Sequence, residues 1–300
     1  MPFLDAWKSD LWDIIVVEDQ PTKSAALSGV RHYAWPDIDE ALGDQSWIIS
    51  RRDSAIRCFG LWLAHQSGYD YTFSLDDDCM PVTTPEDYID GHLRNLNSTP
   101  IWTESALGQR TRGIPYGETA AINVALSHGL WMGNPDFDSV QSMLGASFDL
   151  PQHTRVMPPS QYFPLCGMNF AFRREVTPLC YFPLMGINQP YRRFDDIWFG
   201  IIAQRAMRHL GYAITSGHPF VQHTRASDRF VNLVKEAPGI VANEEFWKII
   251  ENIPLSGTTC RDVMNEIGDR LTVITTTSEE LGTYIKRLGS AITIWTGLFK

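Results

Sequence analysis

The chain has 300 residues, which is long enough to bury a large hydrophobic core. Hydrophobic residues make up 44% and charged residues 20% of it, and these values exclude intrinsic disorder, collagen-like repeats and coiled coils. The formal net charge of -10 argues against a nucleic-acid partner, because the field of the whole molecule would repel a phosphate backbone.

The cysteines, the N-terminal residues and the apolar stretches of the chain bear on where in the cell the protein is located. The five cysteines are scattered, odd in number and without a CxxC pair, so we expect neither a disulfide framework nor a zinc ribbon. Asp5, Lys8 and Asp10 interrupt the stretch where a secretory signal would need an apolar core. The longest apolar-leaning stretch, Leu288 to Phe299, is too short to span a bilayer. The sequence therefore predicts a cytoplasmic protein without a membrane span.

Strand and helix patterns alternate through the first hundred residues. DIIVVED, Asp13 to Asp19, is typical of a buried parallel strand at the centre of a sheet, and SWIIS predicts a second strand. Asp53 then caps a helix, and YDYTFSLDDDC predicts a strand that ends in three acids. A further helix is predicted from Pro85 to Leu96. This order indicates an α/β fold with a mostly parallel sheet flanked by helices, whose ligands gather beyond the carboxyl ends of the strands.

The second half is less regular at first and then helical. From Ile101 to Pro190 the chain is rich in Pro, Gly and aromatic residues, which indicates long loops and short strands that form a pocket wall. A helix is predicted from Ile197 to Leu210, and two or three more follow beyond Gly239. We therefore divide the chain into a main domain, residues 1–240, and a C-terminal helical extension, residues 241–300.

The acidic run after the third predicted strand is the first candidate site. Alternate side chains of a strand point to one side, so Asp76 and Asp78 can meet one Mg²⁺ or Mn²⁺ ion that also binds a diphosphate, with Asp77 beside the nucleotide sugar. His223 can complete this metal site. The alternatives remain a solvated acidic turn that caps the next helix, and a structural histidine.

A second acidic pair stands in FDDIW, at the start of a predicted helix. Asp195 and Asp196 can orient or deprotonate an acceptor hydroxyl, or stabilise positive charge at an anomeric carbon. The alternative reading is that they simply cap the helix.

Basic and small residues supply further candidates for binding a nucleotide sugar. Asp53 and Arg57 share one face of the first predicted helix. Gly167 lets a ligand approach the backbone, and the Asn169 amide can bond sugar hydroxyls, although a bulge or turn would explain both. The segment VQHTRASDRFVNLVKE concentrates cations suited to phosphates, namely Arg225, Arg229 and Lys235.

An ordered series of motifs runs through most of the chain: DSAIRCFG, LDDDC, RGIPYGE, FPLCGMNFAF, YFPLMGINQPYRRFDDIWFG and HTRASDRFVNLVKE. The series resembles the reversibly glycosylated polypeptides, which include the UDP-arabinopyranose mutases of plants. The resemblance implies a GT-A fold, a UDP-sugar substrate such as UDP-arabinose, and Mn²⁺ or Mg²⁺ held by the aspartates of LDDDC. It also implies reversible glycosylation of an arginine at Arg112, pyranose–furanose interconversion, and a homo- or hetero-oligomer.

The sequence departs from the family at two places. Thr119 stands where the family has a second arginine, and the family's first strand has no counterpart upstream of DIIVVED. We therefore expect residues 1–12 to form no nucleotide-facing strand. Two alternative functions stay open, a metal-dependent glycosyltransferase with a separate acceptor and a non-catalytic nucleotide-sugar-binding subunit of a mutase complex.

Overall fold

A computed structural model describes residues 2–24, 27–98, 123–147, 149–224 and 227–299. Within these ranges the strands are β1 (Ile15–Val17), β2 (Arg31–Tyr33), β3 (Tyr71–Leu75), β4 (Cys79–Pro81), β5 (Asn123–Gly133), β6 (Arg155–Val156), β7 (Asn169–Arg173) and β8 (Tyr212–His223). The α-helices are α1 (Pro2–Trp7), α2 (Trp35–Leu42), α3 (Arg57–Gln66), α4 (Pro85–Leu96), α5 (Ser139–Met143), α6 (Asp195–His209), α7 (Arg229–Glu251), α8 (Cys260–Val273) and α9 (Glu279–Gly297). Three 3-10 helices span Gly43–Ile48, Ser54–Ile56 and Arg174–Leu179.

The fold is a central sheet flanked by helices, which confirms the α/β prediction, but the strand directions differ from it. Six strands form one sheet in the order β3-β7-β5-β8-β4, with β6 also paired to β8. Among the described strands of this sheet, β5 and β8 run parallel and the other pairs are antiparallel. The prediction of a mostly parallel sheet was therefore wrong. The prediction assumed that strands consecutive in the chain would be neighbours in the sheet. Instead, β3 pairs in antiparallel with β7, almost a hundred residues later.

Two strand predictions in the first fifty residues also need correction. DIIVVED contributes only β1, which pairs in parallel with β2 in a separate two-stranded sheet and not at a sheet centre. SWIIS lies at the end of a 3-10 helix, and its apolar side chains Ile48 and Ile49 are buried in the core. A short apolar run is found in any segment that packs into a core, so the burial of these two side chains explains the pattern that predicted a strand.

The helix predictions fare better because caps mark them in the sequence. Helix α4 spans Pro85–Leu96 as predicted, and the Thr84 hydroxyl accepts a hydrogen bond from Asp87 N at 3.1 Å. Helix α6 begins two residues before the predicted Ile197, and Gly211 follows it with a left-handed φ of 72°. A glycine adopts this conformation without strain, and therefore it ends the helix cleanly.

The N-terminal segment forms a helix and no strand within described residues 2–12, as expected. Helix α1 packs beside β4, where Trp7 Nε1 donates a hydrogen bond to Cys79 O at 2.8 Å. The Trp7 ring also meets the Tyr88 ring edge-on, with centroids 4.8 Å apart. This buried tryptophan fixes the segment against the strand that follows the acidic run.

The C-terminal helices share the main hydrophobic core. Trp198 of α6 stacks on Phe246 of α7 with centroids 4.0 Å apart, and Trp295 Nε1 donates to Pro178 O at 3.0 Å. Helix α7 runs across the predicted boundary between residues 240 and 241. The division of the chain into a main domain and a C-terminal extension stays a prediction. Among the described helices, none is long and apolar enough to cross a membrane.

Candidate active site

Five acids and one arginine, all buried or part-buried, converge where β3 ends and where α3 and α6 begin. Burial and neighbouring charges shift the pKa values of Asp53, Arg57, Asp136, Asp195 and Asp196. We call this group the acid–arginine cluster, and its members are Asp53, Arg57, Asp76, Asp136, Asp195 and Asp196. Sequence reasoning found all of them except Asp136, which lies in the loop between β5 and α5 without a recognisable motif.

Arg57 is the fixed positive charge of the cluster. Its Nη2 donates to Asp76 Oδ1 at 2.8 Å and its Nη1 donates to Ser74 Oγ at 3.0 Å. A further bond from Nε reaches Ser54 O at 3.0 Å. Burial would lower the pKa of Arg57, but the Asp76 carboxylate more than offsets this, and the pKa is raised. The guanidinium is thus charged and oriented before any ligand binds.

Gly167 belongs to the site for a reason other than the predicted one. Arg57 Nη1 donates to Gly167 O at 2.7 Å, and a β-carbon at position 167 would lie 2.4 Å from Arg57 Cζ. Such a contact is too short for any side chain. The glycine therefore makes room for the arginine, and its predicted role in letting a ligand approach the backbone stays a prediction.

Asp53 and Asp195 are neighbouring carboxyl groups of the cluster. Asp53 begins the 3-10 helix that leads into α3, and it accepts hydrogen bonds from Ala55 N at 3.0 Å and Met185 N at 2.8 Å. Burial, followed by repulsion from Asp195, raises the pKa of Asp53. Burial likewise raises the pKa of Asp195. A carboxyl group whose pKa is raised in this way holds its proton closer to neutral pH than a carboxyl group in water does.

Neither acid of FDDIW is the N-cap of α6, because that position belongs to Phe194. Asp195 is 7% exposed, and both acids lie in the first turn, where the helix dipole favours negative charge. Asp196 Oδ1 accepts a bond from Ile197 N at 2.8 Å. The two acids therefore interact with the start of α6 from its first turn, as the helix-start alternative requires, and Asp195 and Asp196 also lie within electrostatic range of the other acids of the cluster.

Asp136, Cys166 and Asp196 form a compact group on one side of the cluster. One ligand atom from each lies within 4.8 Å of the others, and Cys166 Sγ donates to Asp136 Oδ2 at 2.8 Å. Burial and the adjacent carboxylates raise the pKa of the Cys166 thiol well above its usual range. A protonated thiol is a poor ligand for a hard cation, so these atoms suit a shared proton better than Mg²⁺.

Asp78 and His223 form the part of the predicted metal site that the structure brings together. Strands β4 and β8 pair so that Cys79 lies opposite His223, and His223 Nε2 lies 3.6 Å from Asp78 Oδ2. His223 Nδ1 donates to Asn134 O at 2.7 Å. With Nδ1 bonded to this carbonyl group, Nε2 is the ring nitrogen on the Asp78 side, which is how metal-binding histidines are usually held. These two residues therefore fit a divalent cation.

The other two aspartates of the acidic run differ in their surroundings. Asp76 is only part exposed, and its Oδ1 is bonded to Arg57, so it joins the metal region to the acid–arginine cluster. Asp77 is exposed on the turn. The three consecutive aspartates therefore have different surroundings. Asp76 contacts Arg57, Asp78 lies near His223, and Asp77 is exposed to solvent.

The prediction that Asn169 contacts sugar is corrected by its position. Its side chain is fully buried, and its Oδ1 accepts from Tyr88 Oη and His92 Nε2, both at 3.0 Å. Its Nδ2 donates to Leu130 O at 2.7 Å and to Pro219 O at 3.1 Å. Every hydrogen-bonding position of the amide is used by the protein, and we assign Asn169 a structural role.

Two of the three predicted cations of the basic segment, Arg229 and Lys235, lie in the described part of the chain, and both are on α7. Arg229 is exposed at the start of α7, and its Nη1 lies 3.5 Å from Ser142 O. Lys235 is half-buried further along the same helix. Arg225, like Arg112, lies outside the described residues.

Two residues that the sequence did not single out approach the cluster. Arg193 has a left-handed φ of 61° and lies within electrostatic range of Asp136, Asp195 and Asp196. The Tyr284 hydroxyl, on α9, is buried without a hydrogen-bond partner in the described structure, within range of Asp53 and Asp195. Neither could be found by local motif, since tertiary packing alone brings them to the site.

Comparison with known proteins identifies similar chains. The family model described as "Reversibly glycosylated polypeptide" matches residues 1–300. The chain is 32% identical over 325 residues to "Probable UDP-arabinopyranose mutase 1" of Pisum sativum, covering 98% of this chain and 86% of that protein. It is 31% identical over 281 residues to "UDP-arabinopyranose mutase 1" of Arabidopsis thaliana, covering 85% and 77%. Identity to "UDP-arabinopyranose mutase 2" of Arabidopsis thaliana is 31% over 322 residues, covering 98% and 87%.

Proposed function

The chain belongs to the reversibly glycosylated polypeptide family, and on that premise we propose that it is a UDP-sugar mutase that interconverts pyranose and furanose forms of the sugar. The names of its relatives indicate UDP-arabinose or a similar UDP-pentose as substrate. The observation that carries the proposal is the buried acid–arginine cluster beside the Asp78–His223 pair. It supplies charged groups of both signs next to the two residues that we propose as cation ligands.

Asp78 and His223 would hold Mn²⁺ or Mg²⁺, with Asp76 nearby. When bound, the cation would neutralise charge on the departing diphosphate. Arg57 keeps Asp76 oriented toward this region through the 2.8 Å bond. Asp77, exposed on the same turn, would face the nucleotide sugar.

Asp195 and Asp196 would act at the sugar. Breaking the anomeric C–O bond leaves positive charge on the sugar, and a buried carboxylate beside it stabilises that charge more strongly than one in water would. Asp53 and Arg57 set the charge balance around Asp195. We include Arg225 and Lys235 as phosphate-binding candidates on sequence grounds alone.

Arg112 would carry the sugar in self-glycosylation. The C–O bond to UDP breaks and UDP leaves with the electron pair, while a bond forms between the anomeric carbon and a guanidinium nitrogen. That nitrogen gives its proton to a carboxylate. Return of the sugar to UDP reverses these changes after the ring has changed form. The guanidinium is protonated in proteins, so a carboxylate must assist this step.

Activity can be tested by incubating the protein with UDP-arabinopyranose, labelled in the sugar, and Mn²⁺. We expect UDP-arabinofuranose as product and label on the protein. Asp195→Asn should lower kcat by roughly a hundredfold or more, because it removes the charge that stabilises the transition state. Asp149→Asn, in an exposed segment, is the matched control and should leave kcat unchanged.

Two other results would replace the proposal. Label that appears only on an added acceptor would identify a glycosyltransferase. Binding of UDP without either product would identify a non-catalytic subunit, a reading that Thr119 favours. All five cysteines are free and buried, in keeping with the cytoplasmic location that we propose.

A further inference from the structure

We propose that Arg193 binds the diphosphate of the UDP-sugar, and that Glu236 of α7 is the positioning residue that holds its guanidinium for this contact. The inference rests on the proposed function, because it adds a binding residue to the same site. Arg193 stands directly before the FDDIW segment. Its side chain is 37% exposed, so a ligand can reach it, whereas the Glu236 side chain is 2% exposed.

Three hydrogen bonds fix the buried carboxyl group of Glu236. Its Oε2 accepts from Ser139 N at 2.8 Å and from Ser139 Oγ at 2.5 Å. Its Oε1 accepts from Arg193 Nε at 2.8 Å. A carboxyl group that is bonded at both oxygens keeps one orientation, so Arg193 Nε is anchored at a fixed point of the structure.

The backbone around Arg193 reinforces this arrangement. Arg193 has a left-handed φ of 61°, which is uncommon for a residue with a side chain, and such residues cluster at active sites and ligand clamps. The next residue, Phe194, packs so closely on α7 that a β-carbon at Gly239 would lie 2.5 Å from Phe194 Cδ2. This approach brings Glu236, about one helical turn earlier, to Arg193. Helix α7 therefore helps to set the position of the guanidinium.

Arg193 still has donor groups for a ligand, whereas Arg57 does not. Arg57 uses all three of its guanidinium nitrogens in hydrogen bonds to the protein. Arg193 uses Nε for Glu236, and within the described residues its Nη1 and Nη2 have no hydrogen-bond partner. A guanidinium presents its donors in a planar fork that matches phosphate oxygens. Arg193 can thus bind a phosphate without giving up its bond to Glu236.

The electrostatic neighbours of Arg193 place it near the proposed cation ligands. Burial raises the pKa of Asp136, and Arg193 and His223 both act against this rise. Arg193 and His223 therefore lie within electrostatic range of the same carboxyl group, and a diphosphate that meets a cation at His223 is within reach of Arg193. Since the acid–arginine cluster has five acids and one arginine, an anion that enters it needs this additional positive charge.

Equilibrium dialysis of the full chain with labelled UDP and Mn²⁺ tests the inference. Arg193→Lys should weaken UDP binding at least roughly tenfold, because the compact charge of a lysine cannot pair with Glu236 and grip a phosphate at the same time. The lysine still places a cation beside Glu236, so we expect the variant to fold, which circular dichroism and urea unfolding measure. Arg192→Lys is the matched control, since Arg192 is the adjacent exposed arginine, and it should bind UDP like the wild type.

Uridine separates a phosphate contact from a general disturbance of the site, because it has the base and the ribose but no phosphate. Its affinity, measured by displacement of labelled UDP, should be the same in the wild type and in Arg193→Lys. Glu236→Gln should likewise weaken UDP binding and leave uridine binding unchanged, because an amide has one oxygen and cannot accept from both Ser139 and Arg193 as the carboxylate does.

The outcomes distinguish this inference from the proposed function. Wild-type UDP affinity in either folded variant, or an equal loss of affinity for UDP and uridine, would overturn the inference and leave the proposed function standing. A folded wild type that binds no UDP would overturn both.

Discussion

The Arg57 guanidinium lies directly against the backbone of Gly167, with Nη1 donating to the Gly167 carbonyl oxygen at 2.7 Å. The contact needs a residue without a side chain, since a β-carbon there would meet Arg57 Cζ at 2.4 Å. A glycine in one loop thereby fixes the cation that orients Asp76.

Gly167→Ala should displace Arg57 and lower kcat/KM for the UDP-sugar by roughly 10- to 100-fold, because catalytic groups lose activity steeply when misplaced. Overpacking should also cost about 1–3 kcal/mol of unfolding free energy. Steady-state kinetics and urea denaturation measure the two effects. Gly297→Ala is the control, since a β-carbon there meets nothing within 4 Å. Wild-type kinetics in Gly167→Ala would show that Arg57 has no such role.

Asn169→Ala should destabilise the fold without altering substrate affinity. The change leaves buried partners unpaired, among them Tyr88 Oη and the Leu130 carbonyl, at about 1–3 kcal/mol for each group left unsatisfied. Denaturant unfolding should show a loss of at least about 2 kcal/mol, against less than about 1 kcal/mol for the exposed Asn252→Ala. A raised KM for the UDP-sugar in the folded variant would restore Asn169 to the binding site.

Two buried histidines should make the fold sensitive to acid. Burial lowers the pKa of His92 to about 3 and that of His128 to about 4. Because these values lie below the unfolded value of about 6.5, the unfolded chain binds more protons, and their contribution to stability falls as the pH drops from about 6.5 toward 4. Each contributes a slope of up to about 1.4 kcal/mol per pH unit.

His92→Gln should remove one of these two contributions. Urea unfolding at several pH values between 7 and 4.5 should therefore show a smaller loss of stability on acidification than in the wild type, whatever the stability at neutral pH. Parallel curves for the two proteins would contradict the burial of a neutral imidazole at this position.

Tyr284→Phe should leave stability unchanged or raise it by up to about 1 kcal/mol. The hydroxyl is buried without a partner in the described structure, and removing such a group relieves its desolvation cost while the ring packing against Tyr191 remains. Thermal and urea unfolding measure the change. A loss of more than about 1 kcal/mol would show that the hydroxyl makes a stabilising bond, with the nearby Asp53 or Asp195 as its partner.

Much of the local structure could be predicted from the sequence, since caps and periodicity mark α4 and α6 by themselves. Strand direction could not, because it depends on which strands pair, and β3 finds its partner in β7 far along the chain. The chemistry of isolated side chains was equally ambiguous. An amide suits a sugar or a buried network equally well, and only the contacts of Asn169 decide between them.

In the candidate site, too, some residues could be predicted from the local sequence and others are brought in only by the tertiary fold. The acids of LDDDC and FDDIW could be selected as functional candidates because they end a strand and begin a helix. Asp136 and Cys166 join Asp196 only through the tertiary fold. Asp136 stands in no recognisable motif, and Cys166, although it lies within FPLCGMNFAF, has no feature that singles it out there. Arg193 reaches the cluster because its backbone has a left-handed conformation, which no pattern in the sequence predicts.

We expect the acids after β3, together with His223, to bind a divalent cation against a nucleotide diphosphate. Isothermal titration of the protein with UDP in the presence of Mn²⁺ tests it directly, with EDTA and His223→Ala as comparisons. We expect binding heat with Mn²⁺ that disappears with EDTA and falls by at least tenfold in affinity for His223→Ala, about 1.4 kcal/mol. Equal UDP binding with and without the cation, or no binding by the folded wild type, would contradict the account.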